Sequence, residues 1–201
     1  GFWKVMLTQH LETGPMWFVL TLLVFELSYA LFRKYAKSKF VRINNSKAPS
    51  WIAILTFMVL TGAVAFAIRL VYPVGKSWLG LQFGYFSLYV AMYVVGIVAA
   101  RKQWLEKLEI RNAWPWFGLA LLAIPVMLSL MGKASGNMGS FMGGINWNAA
   151  FYAFWEPIVC VGFCYFLPLL FKKYGNKPSA FVLGQSGNSY LAYIIHPVLV
   201  V

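Results

Sequence analysis

The 201-residue sequence predicts an all-α, polytopic transmembrane helical bundle of five full helices and a truncated sixth. Hydrophobic residues make up 61% of the chain and charged residues 11%, with a mean hydropathy of +0.69, which leaves too little polar surface for a soluble globule. Five apolar runs reach the roughly 17 to 25 residues that a helix needs to cross the bilayer core. Because the runs lack the strict alternation of barrel strands, and lipid tolerates no unpaired backbone amides, each run is predicted to be helical.

The five full helices are each bounded by Lys, Arg, Gly, Pro or Asn. They are predicted over residues 16–32, 51–69, 83–100, 114–131 and 149–171. A sixth helix is placed over residues 189–201, but its apolar run covers only about 18 Å at helical rise, too short to cross a bilayer. The chain also opens on Gly1 without the layout of a signal peptide. We therefore expect residues 1–201 to be one partial transmembrane domain, an internal piece of a longer protein.

Two connecting segments have patterns of their own. In residues 104–111, apolar side chains at Trp104, Leu105 and Leu108 are interspersed with charges, which predicts a short amphipathic helix on the membrane surface. Residues 133–148 are rich in Gly and Met, which predicts an outer loop. The sequence contains no internal repeat and no Gly-rich phosphate-binding loop.

Basic residues are concentrated in alternate loops, which predicts the orientation of the helices. Thirteen of the 17 Lys and Arg follow the first, third and fifth predicted helices. They are Arg33, Lys34, Lys37, Lys39, Arg42, Lys47, Arg101, Lys102, Lys107, Arg111, Lys172, Lys173 and Lys177. Because basic residues in short loops are retained in the cytoplasm, residues 1–15, 74–82 and 132–148 are predicted to lie outside it, in a multi-pass protein of the plasma membrane. This topology accounts for the net charge of +12 without nucleic acid and favours contact with anionic membrane lipids.

Four ionisable side chains lie inside the predicted helices, where a charge costs roughly 2.5 kcal/mol or more. Arg69 is near the outer end of its helix and is expected to extend to the lipid headgroups. Glu26 lies near the midplane and is expected to be neutral or paired. Glu156 precedes Pro157, which predicts a kink because proline removes a helical hydrogen bond. For both glutamates, a packing role and a functional role stay open.

The fourth ionisable residue, His196, lies among hydroxyl groups in the last predicted helix. Tyr193 shares its helical face at i−3, and Ser189 lies on that face one turn earlier, with Tyr190 beside it. An imidazole among hydroxyls is a candidate general base near neutral pH, and a packed core histidine is the plain alternative.

The two cysteines, Cys160 and Cys164, are four residues apart on one face of the fifth predicted helix. Two thiols alone do not make a zinc site, and this spacing on a helix disfavours a disulfide. The sequence therefore predicts no metal site, and it treats both cysteines as packed or lipid-facing residues.

Five stretches are informative when they are taken together in their order along the chain. They are residues 14–20 (GPMWFVL), 85–105 (YFSLYVAMYVVGIVAARKQWL), 151–156 (FYAFWE), 160–162 (CVG) and 189–197 (SYLAYIIHP). In this combination the sequence resembles the membrane acyltransferase family 3 over nearly its whole length. The resemblance implies an integral membrane O-acyltransferase of about ten helices. Such enzymes move acetyl, succinyl or similar groups onto hydroxyls of cell-surface polysaccharides, glucans or lipid-linked sugars.

The resemblance also implies acyl-coenzyme A as the donor on the cytoplasmic side, with no tightly bound cofactor. The family's opening helix pair, which bears a basic residue and a catalytic His, has no counterpart in these residues. His10 does not replace that His, because it lies before the first helix without the family's apolar context. We expect the principal catalytic His to lie outside this chain and the isolated 201 residues to be inactive.

Joined to this resemblance, the polar residues acquire hypothetical roles. Acyl transfer to a hydroxyl needs a base, donors for the developing oxyanion and a dry path between donor and acceptor. Glu26, Glu156 and His196 are the candidate catalytic side chains. The candidate substrate-binding residues are Trp17, Ser189, Tyr190 and Tyr193, and the candidate residues for the coenzyme A phosphates are Arg101, Lys102, Lys172 and Lys173.

Two other classes of function are compatible with the same residues. A transporter or exporter of a sugar or lipid-linked intermediate would use Glu and His side chains as a proton relay and the Pro157 kink as a moving part. A scaffold subunit would use its buried polar residues only to fix helix packing. Transport without acyl-coenzyme A would favour the first of these alternatives.

Overall fold

The computed structural model describes residues 17–36, 47–76, 81–134, 137–175 and 184, and within these ranges it contains seven α-helices and no strand. The helices are α1 (Trp17–Tyr35), α2 (Trp51–Val71), α3 (Phe86–Arg101), α4 (Trp104–Lys107), α5 (Ile110–Lys133), α6 (Gly139–Met142) and α7 (Trp147–Leu170). A 3₁₀ turn, Phe83–Tyr85, precedes α3, and a π turn, Phe171–Gly175, follows α7. The predicted all-helical fold class is confirmed, while the helix predicted over residues 189–201 lies outside the described residues.

α1 belongs to the first of two compact units. Most of its large apolar side chains are exposed, and Thr21 is its buried residue, with the hydroxyl donating to the Trp17 carbonyl at 2.8 Å. Glu26 is exposed on this helix. With Glu26, Arg33 and Lys34, α1 carries more charge than the longest apolar helices, so the membrane crossing over residues 16–32 stays a prediction.

In the described residues, four helical segments are long and apolar enough to cross a membrane. They are Trp51–Val71, Phe83–Arg101, Ile110–Lys133 and Trp147–Gly175. No more than 33% of the most apolar stretch of any of them is buried inside the protein. Most of their apolar side chains therefore keep at least part of their surface exposed, as those of a helix in lipid do. The protein is a membrane protein.

The second unit contains α2 to α7, and α7 is its central helix. α7 packs against α5, α2 and α6, and α3 packs against α2. At the contact with α5, the rings of Phe117 and Phe166 stack with centroids 4.1 Å apart. On the same side of α7, a Cβ atom at Gly162 would overlap the Ala120 Cβ and lie 2.7 Å from the Trp116 carbonyl oxygen. Glycine at this position lets the two backbones approach closely, as small residues do between membrane helices.

The loops divide the second unit into two ends. At one end, which we call the α6 end, the Val74 N–H donates to the Met142 carbonyl at 2.7 Å and joins the loop after α2 to α6. At the other, the α4 end, the Lys172 ammonium donates to the Leu105 carbonyl at 2.8 Å and joins the turn after α7 to α4. α7 therefore runs from the α6 end, where the Asn146 side chain caps it by accepting from the Ala149 N–H at 2.9 Å, to the α4 end.

Two connections differ from the sequence-based expectation. The amphipathic helix predicted over residues 104–111 ends at Lys107, and α5 already begins at Ile110, because Leu108 is extended and both Leu108 and Ile110 pack against the Phe166 core cluster. The segment predicted as an outer loop over residues 133–148 contains α6. Phe141 of α6 is only 2% exposed, so burial of this ring orders the segment.

Candidate functional site

Arg69, in the last turn of α2, is fully buried, so the expectation that it extends to the lipid headgroups is wrong. Its guanidinium Nη2 forms an ion pair with Oε2 of Glu156 from α7. Its Nε donates to the Gly84 carbonyl at 3.0 Å. The opposite charges compensate each other in a place where either one alone would be strongly unfavourable.

Two tyrosine rings enclose the Arg69 guanidinium. Its central carbon lies 5.4 Å from the centre of the Tyr85 ring and 4.9 Å from that of Tyr152, within the range of cation–π attraction. The two phenol oxygens are 3.3 Å apart and share a hydrogen bond. We call Arg69, Glu156, Tyr85 and Tyr152 the Arg–Glu–Tyr cluster.

Further aromatic side chains extend the cluster along α3 and α7. The Tyr89 ring stacks on Tyr85 at 6.2 Å, and the Trp155 ring stacks on Tyr152 at 5.9 Å. The Trp155 indole N–H donates to the Ala123 carbonyl of α5 at 2.8 Å, which fixes the ring between α5 and α7. These four aromatic side chains are half-buried, so part of each ring is accessible.

Close backbone contacts at the α6 end hold the cluster in place. A Cβ atom at Gly143 would lie 2.6 Å from the Arg69 carbonyl oxygen, and one at Gly84 would lie 3.3 Å from the Tyr72 carbonyl oxygen. The segment after α6 and the 3₁₀ turn before α3 can therefore pack directly on the end of α2. Only glycine leaves this space at Gly143.

Glu156 and Pro157 are both buried within α7, which is helical from Trp147 to Leu170. The kink predicted at this pair stays a prediction. Because the carboxylate is buried and bonded to Arg69, the pair acts as fixed charges. The atoms of the cluster that a bound polar group can reach are those of the half-buried tyrosines, whose hydroxyls both donate and accept hydrogen bonds.

An apolar cavity of about 420 Å³ lies at the α4 end of the same unit. Its walls come from α2, α3, α4 and α7, among them Ala53, Ala99, Trp104 and Cys164. Phe57 also lines it, and at helical rise the stretch of α2 from Phe57 to Arg69 measures about 18 Å. The cavity has its walls at the α4 end and reaches Val161, about 8 Å along α7 from Glu156, while the Arg–Glu–Tyr cluster lies toward the α6 end.

Lysines surround the α4 wall of this cavity. The Lys172 ammonium bonds to the carbonyls of Leu105 and Glu106 at 2.8 and 3.3 Å, and the Lys107 ammonium bonds to the Lys102 carbonyl at 3.1 Å. The Lys102 ammonium lies 5.8 Å from the centre of the Trp104 ring. Positive charge is thus held next to the apolar walls, an arrangement suited to a ligand with an anionic part and an apolar part.

The structure brings together only some of the residues predicted as site residues. Arg101, Lys102, Lys172 and Lys173 lie at the α4 end, far along α7 from Glu156. In the first unit, Trp17 begins α1 and is 37% exposed, and Glu26 is exposed. Ser189, Tyr190, Tyr193 and His196 lie outside the described residues.

The described residues include two free cysteines and no cluster of metal ligands. The sulfur atoms of Cys160 and Cys164 are 3.9 Å apart, within reach of a thiol–thiol hydrogen bond and without a disulfide, and Cys164 is exposed. Within the described ranges, no three His, Cys, Asp or Glu side chains come together as metal ligands.

A family model described as an acyltransferase domain, that of the membrane acyltransferase family 3, matches residues 2–201. The chain belongs to this family. No curated protein and no solved structure matches it. Membership in the acyltransferase family confirms the resemblance drawn from the five sequence stretches, and together with the long apolar helices it makes this protein a membrane acyltransferase.

In this family 3 acyltransferase, sequence reasoning identified Glu156 but missed its partners. Arg69 is 87 residues away along the chain, and no local pattern links the two. Tyr85 and Tyr152 are part of the stretches that carry the family resemblance, and this was the only signal that pointed to them. The cost of an unpaired charge in an apolar helix indicates that Arg69 needs a carboxylate, but it does not by itself choose between Glu26 and Glu156.

Proposed function

We propose that the protein transfers an acyl group from cytoplasmic acyl-coenzyme A to a hydroxyl of a cell-surface polysaccharide, glucan or lipid-linked sugar. The observation that carries this proposal is the acyltransferase family match over residues 2–201. The two ends of the second unit support it, because one end is apolar and rich in lysine and the other holds tyrosine hydroxyls over a buried ion pair.

The α4 end is the donor side in this proposal. Coenzyme A carries phosphates, and Arg101, Lys102, Lys172 and Lys173 supply positive charge beside the cavity. Lysine ammoniums bind phosphates as point charges and Arg binds them in a bidentate fork. The positive-inside distribution of these residues supports a cytoplasmic α4 end, where acyl-coenzyme A is available.

The α6 end is the acceptor side. Tyr85, Tyr89, Tyr152 and Trp155 offer apolar ring faces and hydroxyls together, which is the combination that a sugar with its apolar face and hydroxyl rim requires. The buried Arg69–Glu156 pair keeps Tyr85 and Tyr152 in place. In this assignment Glu156 is a positioning residue and not the base that removes the hydroxyl proton.

The test uses the complete protein that contains these residues, purified and reconstituted in lipid nanodiscs. Incubation with acyl-coenzyme A labelled in the acyl group and with lipid-linked sugar or cell-wall glucan is expected to give a labelled ester that mild alkali removes. Free coenzyme A should appear in equal amount. Nanodiscs prepared in the same way without this protein are the blank.

The transporter alternative gives a different result in the same material. If proteoliposomes accumulate the sugar without acyl-coenzyme A and form no ester when it is supplied, the acyltransferase proposal is wrong. Ester formation that depends on acyl-coenzyme A excludes pure transport as the function.

A further inference from the structure

The apolar cavity at the α4 end is larger than short acyl groups require. Its volume of about 420 Å³ is nearly three times the ~150 Å³ that accommodates one benzene ring, so it has room for roughly 17 carbons when filled, and a bent chain of about eight to ten carbons fits with space left. Its walls are almost entirely apolar, with aliphatic side chains from α2 and α3 facing Leu105 and Leu108 at α4. A cavity of this lining binds hydrocarbon.

The lysines beside the cavity select among hydrocarbon ligands. Lys172 is bonded to the carbonyl of Leu105, and Lys102 lies against the ring of Trp104, and both Leu105 and Trp104 line the cavity. A neutral hydrocarbon would gain nothing from these charges. A chain attached to a phosphorylated carrier would bury the chain and place its anionic part among the ammonium groups.

We infer that this cavity binds the acyl chain of the donor thioester and gives the enzyme a preference for acyl-coenzyme A with a chain of about eight to ten carbons. The inference rests on the proposed function and narrows its donor, because the family resemblance alone implies acetyl or succinyl groups. The apolar chain lies against α2, α3 and α7, and the coenzyme A phosphates lie on the lysines at α4.

Cys164 is a built-in reporter of this binding. It lines the cavity and is exposed, whereas Cys160, one turn earlier on α7, does not line it. A ligand in the cavity should therefore slow alkylation of Cys164 by N-ethylmaleimide. Peptide mass spectrometry reads the alkylation of both cysteines in one sample.

The experiment compares coenzyme A, acetyl-coenzyme A and octanoyl-coenzyme A on the complete protein in phosphatidylcholine nanodiscs. Since a buried methylene strengthens binding by up to about fourfold, octanoyl-coenzyme A is expected to protect Cys164 at a concentration roughly a hundredfold or more below that of acetyl-coenzyme A. Coenzyme A alone is expected to leave the alkylation rate of Cys164 unchanged. Equal protection by the acetyl and octanoyl donors would overturn the inference.

A matched pair of variants tests the position of the chain. Ala99 lines the cavity and Ala100, next to it on α3, is exposed and does not. Ala99→Phe is expected to fill part of the cavity and weaken protection by octanoyl-coenzyme A at least tenfold, while Ala100→Phe leaves it unchanged. The milder Ala99→Leu, together with the detergent unfolding midpoint as a measure of folding, separates filling from misfolding.

Membrane phospholipid is the competing source of hydrocarbon. In nanodiscs of phosphatidylglycerol, Cys164 is expected to stay reactive until octanoyl-coenzyme A is added, and full protection by the lipid alone would overturn the inference. Different results would contradict the proposed function and the donor inference. Absence of ester from every acyl-coenzyme A defeats that function, whereas ester formation from acetyl-coenzyme A without any chain-length preference defeats only the donor inference.

Discussion

Arg69 and Glu156 place two full charges inside the apolar unit, and each is tolerated because of the other. Arg69 is 0% and Glu156 8% exposed, so neither charge is screened by water. Such pairs contribute little net stability compared with apolar residues, but the loss of one partner leaves an uncompensated charge. The consequence at the scale of single residues is strong coupling between the two side chains.

A double-mutant cycle measures this coupling. Arg69→Met and Glu156→Leu are each expected to lower the free energy of unfolding by about 3–5 kcal/mol, and the double variant is expected to lose less than either single variant. The measurement is reversible unfolding of the complete protein by denaturing detergent in mixed micelles.

Arg111→Met is the matched control for charge removal, because Arg111 is exposed near the start of α5. Its effect on the free energy of unfolding is expected to stay within about 0.5 kcal/mol. Additive losses in the Arg69 and Glu156 cycle would contradict the assignment of a buried pair.

Tyr152→Phe separates binding of the acceptor from binding of the donor. Removal of the hydroxyl breaks the contact with Tyr85 and removes one group for a sugar hydroxyl, so the KM for the acceptor is expected to rise about 2- to 13-fold. The KM for acyl-coenzyme A should not change, since Tyr152 is at the α6 end. Tyr174→Phe, at an exposed tyrosine, is the control. An equal rise in both KM values would argue for a general loss of structure.

Single residues show where sequence reasoning stops. The cost of a charge in lipid was enough to single out Glu156 as an unusual residue inside an apolar run, but the expectation of a partner was stated for Glu26, which is exposed on α1. Arg69 was assigned to the headgroups because its position near a helix end permits this. The choice between headgroup and carboxylate depends on which helices are neighbours, and this is decided by packing across 87 residues of chain.

At the scale of helices, the contact between α5 and α7 depends on Gly162. A methyl group there would meet the Ala120 Cβ and the Trp116 backbone, neither of which can rotate away. Gly162→Ala is therefore expected to lower the free energy of unfolding by about 1–3 kcal/mol, as overpacking does.

Gly118→Ala on α5 is the matched substitution. Nothing lies within 4 Å of a Cβ atom at Gly118, so alanine is expected to raise the stability by about 0.5–1 kcal/mol through its helical preference. Both variants are compared in the same detergent unfolding assay. A neutral or stabilising Gly162→Ala would show that α5 and α7 are farther apart than described.

The apolar runs predicted which segments form helices. Several helix boundaries, however, depend on tertiary contacts. α5 begins at Ile110 and not at residue 114, because the Ile110 side chain packs against the Phe166 core cluster, although residues 104–111 had been predicted as a separate surface helix. α6 forms in a Gly- and Met-rich segment because Phe141 is buried. Hydropathy alone does not contain this information, since Ile110 packs against a residue far away in the sequence and the burial of Phe141 depends on tertiary packing.

At the scale of the whole molecule, the lysine-rich α4 end and the α6 end are predicted to face opposite sides of the membrane. In a background of Cys160→Ser and Cys164→Ser, Ile145→Cys is expected to react with a membrane-impermeant maleimide in intact cells. Glu109→Cys is expected to react only after permeabilisation, because positive loops remain cytoplasmic.

Both tested positions are exposed, Ile145 at 90%, so the lack of a reaction reflects the membrane and not burial. The reverse labelling pattern would invert the proposed donor and acceptor sides. Labelling of both positions in intact cells would point to leaky cells and is checked with a cytosolic marker protein.

The separation of Arg69 and Glu156 along the chain also has a consequence for biosynthesis. A ribosome adds about 5–20 residues per second, so Arg69 emerges some 4–17 s before its partner. During this interval α2 carries an unpaired guanidinium, which is stable only at the membrane surface or beside the insertion machinery. The headgroup position that the sequence indicates for Arg69 is therefore the one we expect for the nascent helix, before α7 supplies Glu156.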